Sequence, residues 1–204
     1  MALVQSGYNV FAPNYRGSIS FGSEFRDLNV SDLGGGDLKD VLHAAKYAAT
    51  LLGQRKKPAI LGGSYGGYLT LQALTTQPDE WAGGVAMVPI TDWAETYELS
   101  DAHYRAWNTH FLGGLPEEKP ELYKERSPIT QIARLKNPVL ILCGENDPVA
   151  NVQPVRKFAE EAGKRGLPVE LVVAKDEGHG PISNENMIRD TILTLEHLKK
   201  LYRN

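Results

Sequence analysis

Three short segments of the chain carry residue types that can work together on a carbonyl carbon. The first reads Ile60-Leu61-Gly62-Gly63-Ser64-Tyr65-Gly66-Gly67, which holds Gly-x-Ser-x-Gly at Gly62, Ser64 and Gly66. The second, Cys143-Gly144-Glu145-Asn146-Asp147-Pro148, offers two carboxylates, and the third, Ala174-Lys175-Asp176-Glu177-Gly178-His179-Gly180, offers an imidazole between glycines. A serine hydroxyl is a poor nucleophile near neutral pH, so it needs a base within hydrogen-bond reach and a carboxylate to orient that base. The chemistry expected of such a set is acyl transfer through an acyl-enzyme.

Five histidines compete for the base. His43 and His197 fall inside amphipathic helical patterns, where packing or solvation accounts for them, and His103 and His110 lie in an aromatic-rich stretch. His179 alone follows a strand pattern on a glycine-flanked loop, as a general base should. Glu145 and Asp147 both suit the acid, and Asp147 is preferred. Asp176 and Glu177 are lesser candidates, because they precede the histidine too closely to reach it from a neighbouring strand.

The elements that must position these residues are legible from periodicity. Short apolar runs at Tyr8–Pro13, Pro58–Gly62, Gly84–Ile90, Pro138–Cys143 and Pro168–Ala174 alternate with helical patterns, which predicts a mostly parallel sheet with helices on both faces. Leu38, Val41, Leu42, Ala45, Ala48 and Leu52 mark one helix face with Asp37 in its first turn, where the helix dipole favours an acid. Residues 65–76 are apolar nearly all round and predict a buried helix. The stretch 91–137 carries six of the 17 aromatics and is expected to lie as a cap of helices and loops over one end of the sheet. Val155, Phe158, Ala159 and Ala162 share one helix side, and Ile188, Ile192, Leu195, Leu198 and Tyr202 share another. No linker, repeat or charge block interrupts the series, so residues 1–204 are expected to form one domain. A strand that runs through a tight glycine turn into a helix is the setting of a nucleophile elbow. The chain order serine, acid, histidine is that of an α/β-hydrolase.

Composition narrows the partners. Lys and Arg number 22 against 25 Asp and Glu, a net charge of −3 that provides no field for a phosphate backbone or an anionic membrane. Nucleic acid and membrane are therefore not expected. Cys143 is the single cysteine, which excludes an intrachain disulfide and a cysteine-rich metal site. No cofactor or metal is expected. The first residues lack a charged region and a long apolar run, so a cytoplasmic location is expected. Gly34 to Gly36 follow a loop pattern, which disfavours a nucleotide-binding reading.

Taken together, these residues resemble the catalytic domain of prolyl oligopeptidase-type serine peptidases, in particular the acylaminoacyl-peptidase-like branch. The resemblance rests on Asn14-Tyr15-Arg16-Gly17-Ser18 with Phe21-Gly22, on the doubled glycines around Ser64, and on Arg126-Ser127-Pro128. It rests also on Gly144-Glu145-Asn146-Asp147-Pro148 and Glu177-Gly178-His179-Gly180. It implies Ser64 as nucleophile, Asp147 as orienting acid, His179 as base and the Tyr65 backbone N–H as one oxyanion donor. It implies that Arg16 anchors its loop by pairing with a carboxylate. Trp93, Tyr97, Tyr104 and Trp107, with Val149 on the acid loop, fall where an apolar substrate pocket is implied, although plain cap packing serves the aromatics equally.

The sequence departs from the family pattern twice. The acid loop runs Asp147-Pro148-Val149-Ala150-Asn151 in place of Asp-x-Arg-Val-Pro, and no histidine precedes Gly-Gly to supply the other oxyanion contacts. The strand bearing that loop is implied to lie between Tyr8–Pro13 and Pro58–Gly62. The chain is thus expected to lack the first strands, as an N-terminally truncated or unusually minimal member, with a second copy or a partner chain completing the sheet. The resulting expectation is a serine hydrolase cleaving oligopeptides or N-acylated peptides. Its alternatives are a carboxylesterase on small acyl esters and a truncated, catalytically weak or inactive domain.

Overall fold

An apolar run becomes a strand only where a neighbour completes its backbone hydrogen bonds. The computed structural model describes residues 2–54 and 56–203, and Met1, Arg55 and Asn204 lie outside the described residues. Among the described residues, β1 (Ala59–Gly63), β2 (Gly83–Met87), β3 (Val139–Gly144) and β4 (Val169–Ala174) form one sheet in that order. All pairings are parallel, with Ala59 opposite Gly83, Val85 opposite Leu140 and Leu142 opposite Val172. The α-helices are α1 (Ala2–Gln5), α2 (Ser23–Arg26), α3 (Gly36–Leu51), α4 (Tyr65–Thr76), α5 (Trp93–Leu99), α6 (Ala102–Leu112), α7 (Pro120–Arg126), α8 (Val152–Lys164) and α9 (Asn184–Tyr202). Parallel neighbours require crossovers, which α4 supplies between β1 and β2 and α8 between β3 and β4. No helix among the described residues is long and apolar enough to cross a membrane.

Strand β3 is buried at every position, and its alternating side chains divide the core. Val139, Ile141 and Cys143 join Tyr68 and Leu71 of α4 and Val155 and Phe158 of α8 on one face. Leu140 and Leu142 join Val85 and Leu193 of α9 on the other. Helices therefore cover both faces, which is why this strand is apolar throughout. Burying a side chain such as Phe158, which has no exposed surface, contributes roughly 1.5–3 kcal/mol.

Three expectations are corrected. Residues 8–13 form no strand, and Val10 and Phe11 are exposed, because no strand lies beside the outer edge of β1 among the described residues to offer them a ladder. Strand β2 ends at Met87 instead of Ile90, since Val88 turns to φ 42° and Pro89 follows. On α9, Ile188 and Ile192 are 61% and 50% exposed, and the helix packs through Leu193, His197 and Leu198.

The stretch 91–137 folds into α5, α6, α7 and a 3₁₀ segment over Pro128–Arg134. Asp92 caps α5 through the N–H groups of Ala94 and Glu95, Asp101 caps α6 through that of Tyr104, and Gly113 ends α6 at φ 74°.

Two glycines separate crowding from propensity. A Cβ on Gly84 of β2 would lie 2.6 Å from the Ile60 carbonyl oxygen, whereas one on Gly163 of α8 would meet nothing within 4 Å. Gly84→Ala is expected to lose roughly 1–3 kcal/mol and Gly163→Ala to gain roughly 0.5–1 kcal/mol. Urea unfolding midpoints of the two variants check the opposite signs.

Candidate active site

Ser64 is the single residue between the end of β1 and the start of α4, and it holds φ 54° and ψ −117°. A non-glycine residue in such a region costs roughly 1–3 kcal/mol, so surrounding contacts must impose it. Its N–H donates to the Met87 carbonyl at 2.9 Å, and its own carbonyl accepts from the Tyr68 N–H at 3.0 Å. The turn closes only over small neighbours. A Cβ on Gly62 would sit 2.3 Å from the Gly66 carbonyl oxygen, and one on Gly67 would sit 2.5 Å from that of Met87. A Cβ on Gly66 would meet nothing, so the crowding belongs to Gly62 and Gly67, with Gly66 contributing the backbone that presses on Gly62.

The loops after β3 and β4 meet beside this turn. A Cβ on Gly144 would fall 2.2 Å from the Gly178 carbonyl oxygen, and the Asn146 N–H donates to the Glu177 carbonyl at 3.0 Å. This contact brings His179 between serine and acid. Its Nε2 lies 2.8 Å from Ser64 Oγ, and its Nδ1 lies 2.8 Å from Asp147 Oδ2. The Asp147 side chain has no exposed surface, and His179 retains 28%. Asp147 Oδ1 accepts from the Val149 and Ala150 N–H groups at 2.8 and 2.9 Å, so amides of its own loop hold the carboxylate. An ionised carboxylate only accepts, which places the imidazole proton on Nδ1 and leaves the Nε2 lone pair facing the serine hydroxyl. The Tyr65 N–H begins α4, in the turn whose amides have no intrahelical acceptor and carry the positive end of the helix dipole.

The competing residues lie elsewhere. Glu145 pairs with Arg156 at 2.8 Å, and Asp176 is exposed. His43, His103 and His110 are exposed on α3 and α6. His197 is buried in α9, where burial lowers its pKa. Arg16 makes a two-pronged pair with Asp40 of α3, both contacts 2.7 Å, and so anchors its loop. Cys143 is a packing residue whose thiol burial pushes up to about 12.

Trp93 requires a correction. It has no exposed surface, its ring packs edge-on to Tyr68 at 5.0 Å and stacks on Trp107 at 6.2 Å, and its backbone N–H donates to Ser127 Oγ. It is an interior packing residue of the stretch 91–137 and presents no surface to a ligand. Tyr97, Tyr104, Trp107 and Val149 are half-buried. Among the described residues no three His, Cys, Asp or Glu side chains cluster as a metal-ligand set.

Glu177, weighed in the sequence only as an acid, performs a different task. Its carboxylate is buried and accepts from Asn186 Nδ2 at 2.6 Å and from the Ile182 and Ser183 N–H groups at 2.7 and 3.1 Å. It thus ties the histidine loop to the start of α9. The only signal was a carboxylate just upstream of Ser183-Asn184-Glu185-Asn186, a helix-start pattern.

A serine at a strand-to-helix turn, with acid and histidine on loops after later strands of the same parallel sheet, defines the fold of the α/β-hydrolases. The chain belongs to the prolyl oligopeptidase family, whose sequence profile matches residues 1–204. It is 31% identical over 189 residues to dipeptidyl aminopeptidase BIII of Pseudoxanthomonas mexicana, a match covering 90% of this chain and 27% of the relative. It is 29% identical over 191 residues to the acylamino-acid-releasing enzyme of Arabidopsis thaliana, covering 88% of this chain and 24% of that protein. The structure of a puromycin-hydrolyzing peptidase of Mycobacterium tuberculosis superposes with a TM-score of 0.85 at 28% identity, covering 92% of this chain and 28% of that one. The chain thus spans about a quarter of the length of these relatives.

The hydrogen bonds to Glu177, led by that of Asn186, outweigh desolvation and hold its carboxyl at about 2 against an ordinary 4.5. A depressed carboxyl stabilises the fold above its unfolded value, and the contribution is lost as pH falls through the folded value. Glu177→Gln is therefore expected to melt below wild type at pH 7, with the gap closing between about pH 4.5 and pH 2. Thermal unfolding of both proteins across that range checks the sign.

Proposed function

We propose that this chain carries the catalytic centre of a serine peptidase acting on oligopeptides or N-acylated peptides through an acyl-enzyme. The observation that carries the reading is the unbroken path Ser64 Oγ, His179 Nε2, His179 Nδ1, Asp147 Oδ2, with both hydrogen bonds at 2.8 Å. In the first step Ser64 Oγ attacks the scissile carbonyl carbon while its proton passes to His179 Nε2. Negative charge then collects on the carbonyl oxygen, where the Tyr65 N–H and the α4 dipole stabilise it. The C–N bond breaks as His179 returns the proton to the leaving amine, and the acyl group stays on Ser64. Water, deprotonated by the same imidazole, then attacks the acyl carbon, and His179 passes the proton to Ser64 Oγ as the acyl–oxygen bond breaks and the acid product leaves. Asp147 keeps the ring in the required tautomer and offsets the imidazolium charge throughout. The names of the relatives support a peptide substrate, one being a dipeptidyl aminopeptidase and the other an acylamino-acid-releasing enzyme.

A fluorophosphonate probe is expected to label wild type and to leave Ser64→Ala unlabelled. Asp147→Asn is expected to lower kcat on a peptide anilide by about 10⁴. Equal background labelling of wild type and Ser64→Ala would remove the hydrolase reading. Turnover of a short-chain aryl ester with none of the anilide would remove the peptidase reading.

The outer edge of β1 bears on assembly. Among the described residues that edge has no neighbouring strand, which makes it a template for one, and we propose that a second copy or another chain pairs there. Light scattering on the isolated protein should give a mass above the 22.5 kDa of one chain. A strict monomer across micromolar concentrations would overturn self-pairing.

A further inference from the structure

We infer that Asp37 and the Tyr65 side chain form a positioning pair that fixes the direction of the Tyr65 backbone N–H, the oxyanion donor of the proposed peptidase. The inference rests on that reading and extends it to two side chains that act through the Tyr65 backbone.

Tyr65 has two ends with different surroundings. Its N–H belongs to the elbow, one residue after Ser64, while its ring crosses to α3 between Tyr15 at 6.3 Å and Tyr68 at 5.4 Å. There its hydroxyl donates to Asp37 Oδ2 and accepts from the Gly34 N–H at 3.1 Å. Asp37 has no exposed surface, and its remaining capacity is taken by the Leu38 N–H at 2.7 Å and the Gly34 N–H at 3.2 Å. A buried carboxylate is tolerated only when bonded in this way. Burial and the Asp37 charge hold the Tyr65 hydroxyl well above its ordinary value, so it remains the donor.

The far side of the pair is fixed as firmly. Gly34 stands at φ 70°, and a Cβ there would meet the Tyr68 hydroxyl. Its carbonyl accepts from Arg126 Nη1 at 2.9 Å, and Arg126 Nη2 lies 3.2 Å from Asp32 Oδ1. Asp32 Oδ2 in turn accepts the Gly36 N–H at 2.8 Å. Asp32, Arg16 and Arg126 are the charged side chains around Asp37, with the Tyr15 and Tyr68 hydroxyls beside it. The first turn of α3 and the Gly34 backbone therefore meet at the Tyr65 phenol, with Arg126 of α7 holding Gly34 from behind.

The elbow explains why this matters for rate. Ser64 is braced on its N-terminal side by Met87 and on its C-terminal side by the Tyr68 N–H on its carbonyl, and the Tyr65 side chain adds a polar tether from the next residue to Asp37 and Gly34. An oxyanion donor contributes only within about 2.7–3.1 Å of the developing charge, so a small rotation of the Tyr65 peptide forfeits part of its effect. Packing alone would be satisfied by a phenylalanine.

The test compares wild type, Tyr65→Phe, Asp37→Ala and the double variant on an aryl ester, with circular dichroism to show that each folds and Ser64→Ala as background. Tyr65→Phe is expected to lower kcat about 10- to 50-fold with KM within about twofold, because the contact strengthens only in the transition state. The double variant is expected to be no slower than Asp37→Ala, as for two parts of one device. A Tyr65→Phe protein that melts earlier yet keeps wild-type kcat would reduce the pair to a structural brace and overturn the inference. Multiplying losses in the double variant would overturn it as well. If Asp37→Ala does not fold, the split between kcat and KM in Tyr65→Phe decides alone. Wild-type turnover no higher than Ser64→Ala would overturn the peptidase reading and this inference with it, an outcome distinct from loss of the variant effect alone.

Discussion

The Ser64 N–H bond to the Met87 carbonyl joins the tip of β1 to the end of β2, and the rest of the site is arranged around the backbone shape it helps impose. At φ 54° the serine cannot relax into strand or helix without giving up that bond or driving Gly62 and Gly67 away from their carbonyl neighbours. The rigidity of the parallel sheet is thereby passed to a single hydroxyl. Met87 is also where β2 must stop, because Val88 turns sharply and sends its own N–H to Leu142 of β3 at 2.7 Å. Adjacent strands are thus locked together at the level where the three loops emerge.

The candidate site lies at one end of the sheet for a topological reason. Parallel strands all finish on the same side, so turns that are far apart in sequence become neighbours in space. Ser64 and His179, 115 positions apart, close into a 2.8 Å contact because Gly144 and Gly178 permit two loops to touch. Asp147 then needs no cation beside it, since its loop supplies two amides. Glu177 performs the same service for the histidine loop with one amide side chain and two backbone donors. In both loops a carboxylate is held chiefly by neutral donors, an arrangement less sensitive to salt than an ion pair.

Legibility in the sequence followed the range of the forces involved. Helix α4 was readable to the residue, because a glycine turn at one end and continuous apolar character are local signals. The parallel sheet and the covering of both its faces were readable from apolar runs, and so was the meeting of the Ser64, Asp147 and His179 loops, since strand ends fix where loops emerge. Tyr8–Pro13 misled because a strand exists only by virtue of its neighbour, which a run of apolar residues cannot report. Trp93 misled because an aromatic in a cap serves packing and recognition alike, and only the ring contacts to Tyr68 and Trp107 separate the two. The bond between Asp37 and Tyr65 links residues 28 apart through side chains, a connection no spacing rule foresees.

Cys143 gives the protein an internal clock. The thiol lies in β3, the strand buried at every position, one residue before the glycine on which the acid and histidine loops close. A bulky thiol reagent can reach it only when the centre of the sheet parts, so the pace of modification under native conditions measures how often the molecule opens at its core. As the single cysteine of the chain, it reports that opening without interference.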